Sequence, residues 1–234
     1  MLKQLVKKSL SALGYEVKRI QRVYDRIPDR AFYTPFFSPW LGYGEFAEAY
    51  KQAYKFTVVN ADRCYILYSL GRQAARLGGE FVECGVYKGG TAMLLQFALE
   101  GSASNLHLFD TFEGMPDTDP ERDLHVAGDF RDTSIDNVRA RVPLAKINKG
   151  FIPHTFSALP TSIAFAHIDV DIYQSVKDCC EHIYPRMQHG GFMVFDDYGF
   201  PSCPGARQAV DEFFEAKDEV PLVLPTAQAI VFIK

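Results

Sequence analysis

Residues 80–96 read EFVECGVYKGGTAMLLQ, and they decide the fold. Phe81, Val82, Cys84 and Val86 form a short apolar, β-prone run, which predicts a strand over 81–86. Gly85, Gly89 and Gly90 follow as a glycine-rich bend, and Thr91 leads into Ala92, Met93, Leu94, Leu95, Phe97 and Ala98, a run with helical propensity too apolar to face water. The order is strand, glycine turn, helix. Glycine at such a junction lets a ligand approach the backbone, and the helix N-terminus offers free N–H groups to a negative group. A ligand is therefore expected across the carboxyl end of this strand.

Working outward, the alternation repeats. Strands are predicted over 105–110, 145–148, 163–169 and 190–196, and helices over 90–100, 134–141, 173–184 and 204–214. Pro225 and Thr226 separate two apolar runs, 221–224 and 228–233, as in a hairpin. The expected fold class is α/β: a doubly wound, mostly parallel seven-stranded sheet of Rossmann-like type with an antiparallel strand at one edge. Upstream, a helical stretch from about 45 to 77 carries a break around 57–62, and 28–46 is rich in proline, glycine and aromatics, with Trp40 the sole tryptophan. Residues 1–54 are read as an N-terminal extension, a lid or oligomer contact, and 55–234 as the α/β domain.

The 234-residue chain has a net charge of −4, so no overall positive field argues for nucleic acid. Its first thirty residues are different: Lys3, Lys7, Lys8, Lys18, Arg19, Arg22, Arg26 and Arg30 stand against Glu16, Asp25 and Asp29. Leu2, Leu5, Val6, Leu10, Leu13, Val17 and Ile20 recur at helical spacing between them, an amphipathic pattern suited to docking on the body or a second subunit, or to peripheral membrane contact through residues 1–22. No uninterrupted apolar run approaches the roughly 20 residues of a membrane span, and no small-residue cleavage site follows the first lysines. Cys64, Cys84, Cys179, Cys180 and Cys203 show neither CxxC nor His/Cys ligand spacing, which reads as reduced thiols in a cytoplasmic protein.

Three predicted strands end in acid: Asp110, Asp169, and the pair Asp196-Asp197. In a doubly wound sheet the carboxyl ends of parallel strands share one rim, so these side chains should converge beside the Gly85 turn. Convergent carboxylates repel unless a proton or cation separates them. A hard divalent cation, Mg²⁺ or another, suits Asp169, Asp196 and Asp197. Asp171 could instead cap the following helix, and Asp196-Asp197-Tyr198-Gly199 could be an ordinary turn. Asp110 stands where an acid would accept hydrogen bonds from ribose hydroxyls. The spacing Gly85-x-x-x-Gly89-Gly90 matches neither GxGxxG nor GxxxxGK[ST], which argues against a nicotinamide enzyme or a P-loop ATPase.

FVECGVYKGGTAMLL, LFDTFEGMP, KGFIPHTFSALP, AHIDVDIYQSVKDCCEHIYPRMQHGGFMVFDDYG and CPGARQAVDEFF follow one another in this chain. Over about residues 55–234 the sequence resembles the macrocin O-methyltransferase (TylF-like) family of S-adenosylmethionine-dependent enzymes. The family usually carries Trp-Arg at the position of Tyr87-Lys88. The resemblance implies a class I methyltransferase sheet, S-adenosylmethionine as methyl donor and a Mg²⁺ beside its methyl group. It implies that Glu83, Gly85, Val86, Tyr87 and Gly89 hold the methionine end and that Asp110 binds the ribose, with Thr111, Phe112 and Glu113 along the same edge. Ser134, Gly150 and Phe151 would lie near the adenine. Asp169, Asp196 and Asp197 would ligate the metal, with Asp169 as general base. Catechol-type enzymes carry a lysine three residues after the first metal aspartate; Ile172 stands there, leaving Asp169, then Asp171 or His167, as candidate bases. The expected reaction is O-methylation of a sugar hydroxyl in a natural-product glycoside or polysaccharide, by a protein that self-associates. A metal-dependent phosphoesterase and a non-catalytic membrane-surface or assembly protein are the alternative readings.

Overall fold

A computed structural model describes residues 37–42 and 44–234, together with Val6, Leu10 and Ala12, which are helical. The rest of the helix expected over 1–22, and part of the aromatic stretch 28–46, lie outside the described residues. The chain divides into two units, Met1–Ser38 and Pro39–Lys234. The second contains α1 (Glu45–Ala53), α2 (Ala61–Ala74), β1 (Glu80–Cys84), α3 (Gly90–Ala98), β2 (Leu106–Asp110), α4 (Ile135–Arg141) and β3 (Lys146–Lys149). It continues with β4 (Ile163–Ile168), α5 (Tyr173–Ile183), β5 (Met187–Phe195), α6 (Pro204–Phe214), β6 (Leu222–Val223) and β7 (Ala229–Phe232). Among the described residues no helix is long and apolar enough to cross a membrane.

The seven strands stand in the order β3-β2-β1-β4-β5-β7-β6. The first five run parallel, and β7 enters antiparallel to β5 with β6 outermost. This is the expected doubly wound sheet. Strand β5 begins earlier than expected, because Met187 already pairs with Ile163 before the register jumps to Phe165↔Phe192.

Alternation along each strand sorts side chains into two layers. Val82, Cys84, Phe109, Ala166, Ile168, Met193 and Phe195 pack under α5 and α6. Phe81, Leu108, Phe165 and Val194 pack under α2, α3 and α4, with Leu67, Leu95 and Val138. A further layer lies outside, where Phe46, Ala49 and Ala53 of α1 meet Cys64, Tyr68, Leu94 and Ala98. Trp40 packs on that outer layer and does not line the cavity described below.

The α2-side layer is not wholly apolar. Glu83, His167 and Asp196 lie there, fully buried, at the carboxyl ends of β1, β4 and β5. Glu83 and His167 are register partners on adjacent strands, and His167 Nδ1 lies 2.8 Å from Glu83 Oε1. Below them Arg63 of α2 reaches Asp196 Oδ2.

Candidate functional site

Gly85 leaves β1 at φ 83, where an added Cβ would stand 1.7 Å from the carbonyl oxygen of Asp169. Only glycine lets β1 and β4 approach so closely. Beyond it, the Val86 and Tyr87 N–H groups donate to Asp110 Oδ2 at 2.7 and 2.9 Å, and the Phe112 N–H donates to Oδ1 at 2.6 Å. Asp110 therefore fastens the glycine turn to the end of β2. A carboxylate has about four acceptor sites, and three are engaged, so one remains for a ligand hydroxyl.

Between these strand ends lies a cavity of about 270 Å³. Its lining combines the apolar Met115, Pro116, Phe130, Phe151 and Ile152 with the acids Asp169, Asp171 and Asp197. The loop 111–133 closes over the turn: the Thr133 hydroxyl donates to the Tyr87 carbonyl, Tyr87 Oη donates to Asp132, and the Tyr87 and Phe130 rings meet edge to face at 5.7 Å.

Of the residues expected to bind a cofactor, Gly85, Tyr87, Asp110, Thr111, Gly150 and Phe151 line this cavity. Glu83, Val86, Gly89, Phe112, Glu113 and Ser134 stand behind or beside it. Glu83 is committed to His167, Glu113 forms an exposed pair with Lys149 at 2.8 Å, and Ser134 caps α4, its Oγ accepting from the Asn137 N–H. That cap bond is 3.5 Å long, so Ser134→Ala should lower stability by about 0.5 kcal/mol, the low end for N-caps, as thermal unfolding would show.

The acids divide likewise. Asp169 and Asp197 open on the cavity, whereas Asp196 is completely buried. Arg63 and Gln228 hold Asp196, the Gln228 amide donating to its Oδ1 at 2.8 Å, and His167 Nε2 lies 3.7 Å from the same oxygen. Burial opposes ionisation of Asp196, yet His167, Arg63 and Gln228 keep its carboxyl below the ordinary range. Burial also opposes the imidazolium of His167, but the nearby Asp196 carboxylate and the hydrogen bond to Glu83 push its pKa up to about 10. Asp169 shifts upward through burial and repulsion from Asp196, and Asp197 through burial and repulsion from Asp171, Asp169 and Asp196. Crowded carboxylates of raised proton affinity are a donor set that a divalent cation would relieve, so Asp169 and Asp197 fit the expected metal. Asp196 offers an oxygen within 4.8 Å of donor atoms of Asp169 and His167, with Arg63 and Gln228 already engaging its carboxylate.

Residues 57–222 match the macrocin-O-methyltransferase (TylF) family. The chain belongs to that family. To the 8-demethyl-8-(2,3-dimethoxy-alpha-L-rhamnosyl)-tetracenomycin-C 4'-O-methyltransferase of Streptomyces olivaceus it is 31% identical over 153 residues, 58% of either chain. It is 30% identical over 163 residues to the demethyldecarbamoylnovobiocin O-methyltransferase of Streptomyces niveus, 61% of this chain and 62% of that one. The match thus spans about three fifths of the length of these two relatives. A third relative, mycinamicin III 3''-O-methyltransferase of Micromonospora griseorubida, is 30% identical over 67% of this chain and 69% of its own. The fold is that of the O-methyltransferase NovP, with a TM-score of 0.66 at 22% identity over 76% of this chain and 82% of that one. It is likewise that of the calicheamicin methyltransferase CalS11, with 0.64 at 18% over 93% and 99%.

Three elements of this TylF-family site had no signal in the sequence. Arg63 is one polar residue of an amphipathic helix, His125 lies in a polar loop, and Cys203 precedes α6; all three line the cavity.

Proposed function

We propose that this chain is an S-adenosylmethionine-dependent O-methyltransferase that methylates a sugar hydroxyl, in a natural-product glycoside or a polysaccharide, with a divalent cation such as Mg²⁺ at the acceptor. The observation that carries this reading is the cavity itself, which runs from the Gly85 turn and Asp110 to the acids after β4 and β5. Its apolar lining residues suit a flat purine, Asp110 has an acceptor site left for a ribose hydroxyl, and the acids of the lining suit a sulfonium cation. Family membership and the activities for which the relatives are named point the same way.

In this reading Gly85 lets the donor's methionine end lie against the backbone, and Tyr87 and Phe130 close the cavity over it. Asp169 and Asp197 would hold the divalent cation, which supplies Lewis-acid polarisation of the acceptor oxygen. A sugar hydroxyl is too weak an acid to attack a sulfonium methyl unaided, so its proton must leave as the bond forms. A carboxylate oxygen of Asp169 takes that proton. The apolar lining excludes water and holds oxygen and methyl carbon in line, where proximity contributes much of the rate.

Calorimetric titration of S-adenosylmethionine into the protein tests the reading. Saturable binding by the wild type is expected, weakened at least tenfold in Asp110→Asn and unchanged within about twofold in Ser134→Ala, since the first residue lines the cavity and the second caps a helix. A folded wild type that takes up no S-adenosylmethionine, with or without Mg²⁺, would sink it.

A further inference from the structure

His125, Asp171 and Cys203 come from three separate parts of the chain: the loop 111–133, the turn between β4 and α5, and the residue before α6. All three line the cavity. His125 Nε2 lies 3.7 Å from Asp171 Oδ1 and 3.7 Å from Cys203 Sγ, and Cys203 Sγ lies 3.5 Å from Asp171 Oδ1. The nitrogen–oxygen separation is too long for a hydrogen bond. A nitrogen, an oxygen and a sulfur bound tetrahedrally to one Zn²⁺ at the usual bond lengths would stand about 3.3 to 3.6 Å apart. The observed triangle is close to one face of that tetrahedron.

The surroundings hold the three donors in place. His125 Nδ1 lies 3.0 Å from Asp129 Oδ2, a pairing that fixes the proton on Nδ1 and leaves the Nε2 lone pair aimed at the other two donors. Two residues before His125, buried Asp123 accepts from the Tyr173 N–H at 2.8 Å and anchors the loop to the start of α5. The Asp171 backbone is held at φ 59, with its N–H donating to Asp197 Oδ2 at 3.1 Å. Cys203 is buried, and its backbone N–H donates to the Phe200 carbonyl at 3.0 Å.

We propose that His125, Asp171 and Cys203 form a binding site for a transition-metal dication, Zn²⁺ by its nitrogen, oxygen and sulfur donors, with the fourth position facing the cavity. Binding forms a metal–sulfur bond and releases the thiol proton to solvent. Burial, Asp197 and Asp171 push the Cys203 thiol upward, so that proton stays on sulfur until a cation displaces it. The thiolate selects Zn²⁺ or Co²⁺ over Mg²⁺, which prefers an all-oxygen octahedron. The ligands differ from Asp169 and Asp197, and nothing in the proposal depends on methyl transfer.

Stripping the full chain with a chelator and titrating it with Co²⁺ provides the test. One equivalent should produce a near-ultraviolet sulfur-to-cobalt charge-transfer band and intense visible bands of four-coordinate Co²⁺. Zn²⁺ should remove them, and excess Mg²⁺ should leave them. Cys203→Ser should abolish the charge-transfer band, His125→Gln should weaken binding at least tenfold, and Asp129→Asn should weaken it roughly 10- to 100-fold. Asp169→Asn should keep the band, which separates this site from the proposed Mg²⁺ position. Absence of the band in the folded wild type overturns the proposal even where a variant fails to fold; so does its persistence in Cys203→Ser. A protein that binds Co²⁺ in this way but ignores S-adenosylmethionine would uphold the metal site and remove the proposed activity.

Discussion

Arg63→Met should lower the stability of this protein by about 3 to 5 kcal/mol, the usual cost of removing one partner from a buried ion pair. Arg63 sits in the first turn of α2 with its side chain 10% exposed, and Asp196 Oδ2, which it meets, is completely buried. Methionine would match much of the length and apolar bulk of arginine, so lost packing against Phe200, whose ring lies 4.6 Å from the guanidinium carbon, is a small part of the change. The main cost is electrostatic. Asp196 would keep Gln228 and His167, but among the described residues it would lose the one permanently charged group that reaches it. Asp196→Asn in the same background should recover part of the loss by removing the stranded charge, and the double-mutant cycle should show strong coupling. Urea denaturation of the four proteins measures this. A loss below about 1 kcal/mol in Arg63→Met would mean that the pair is as weak as a solvent-exposed one.

Gly85→Ala is expected to be comparably severe, for a steric reason. The residue holds φ 83, a conformation that costs a side chain about 1 to 3 kcal/mol, and the new methyl would meet the Asp169 carbonyl oxygen at 1.7 Å. Relief requires parting β1 from β4 at the point where the Asp169 N–H donates to the Cys84 carbonyl at 2.9 Å. Overpacking adds about 1 to 3 kcal/mol more. The clash also lies on the cavity wall, so any molecules that remain folded should lose affinity for S-adenosylmethionine. Gly78→Ala is the control: it shares a positive φ of 79 but has nothing within 4 Å of the added carbon, so it should cost only the backbone strain. Melting temperatures of the two variants should differ clearly, and equal ones would show that the approach of β4 to Gly85 is not a constraint.

The difference between these glycines marks where sequence reading ends. Only the position of Asp169, which is 84 residues away in the chain, makes one of them indispensable. The same holds for Asp196 and Asp197. Adjacent acids at a strand end read naturally as two ligands of one metal. The strand ends at Phe195, however, and in the turn that follows Asp197 lines the cavity while Asp196 is buried against Arg63 and Gln228. Asp110 was legible as a residue of the ligand rim, but its three backbone partners were not, because they depend on how tightly the turn folds back.

The sequence by itself determined the alternation of strand and helix, the parallel sheet, the glycine turn at Gly85 and the acidic rim. Each of these follows from local propensity or from a short period, which neighbouring residues carry between them. The tertiary structure alone decided which carboxylates open on the cavity and which are neutralised beneath the sheet. It alone placed His125, Asp171 and Cys203 within 3.7 Å of one another, since donors drawn from three loops leave no spacing to read and meet only after the sheet has brought their anchors together.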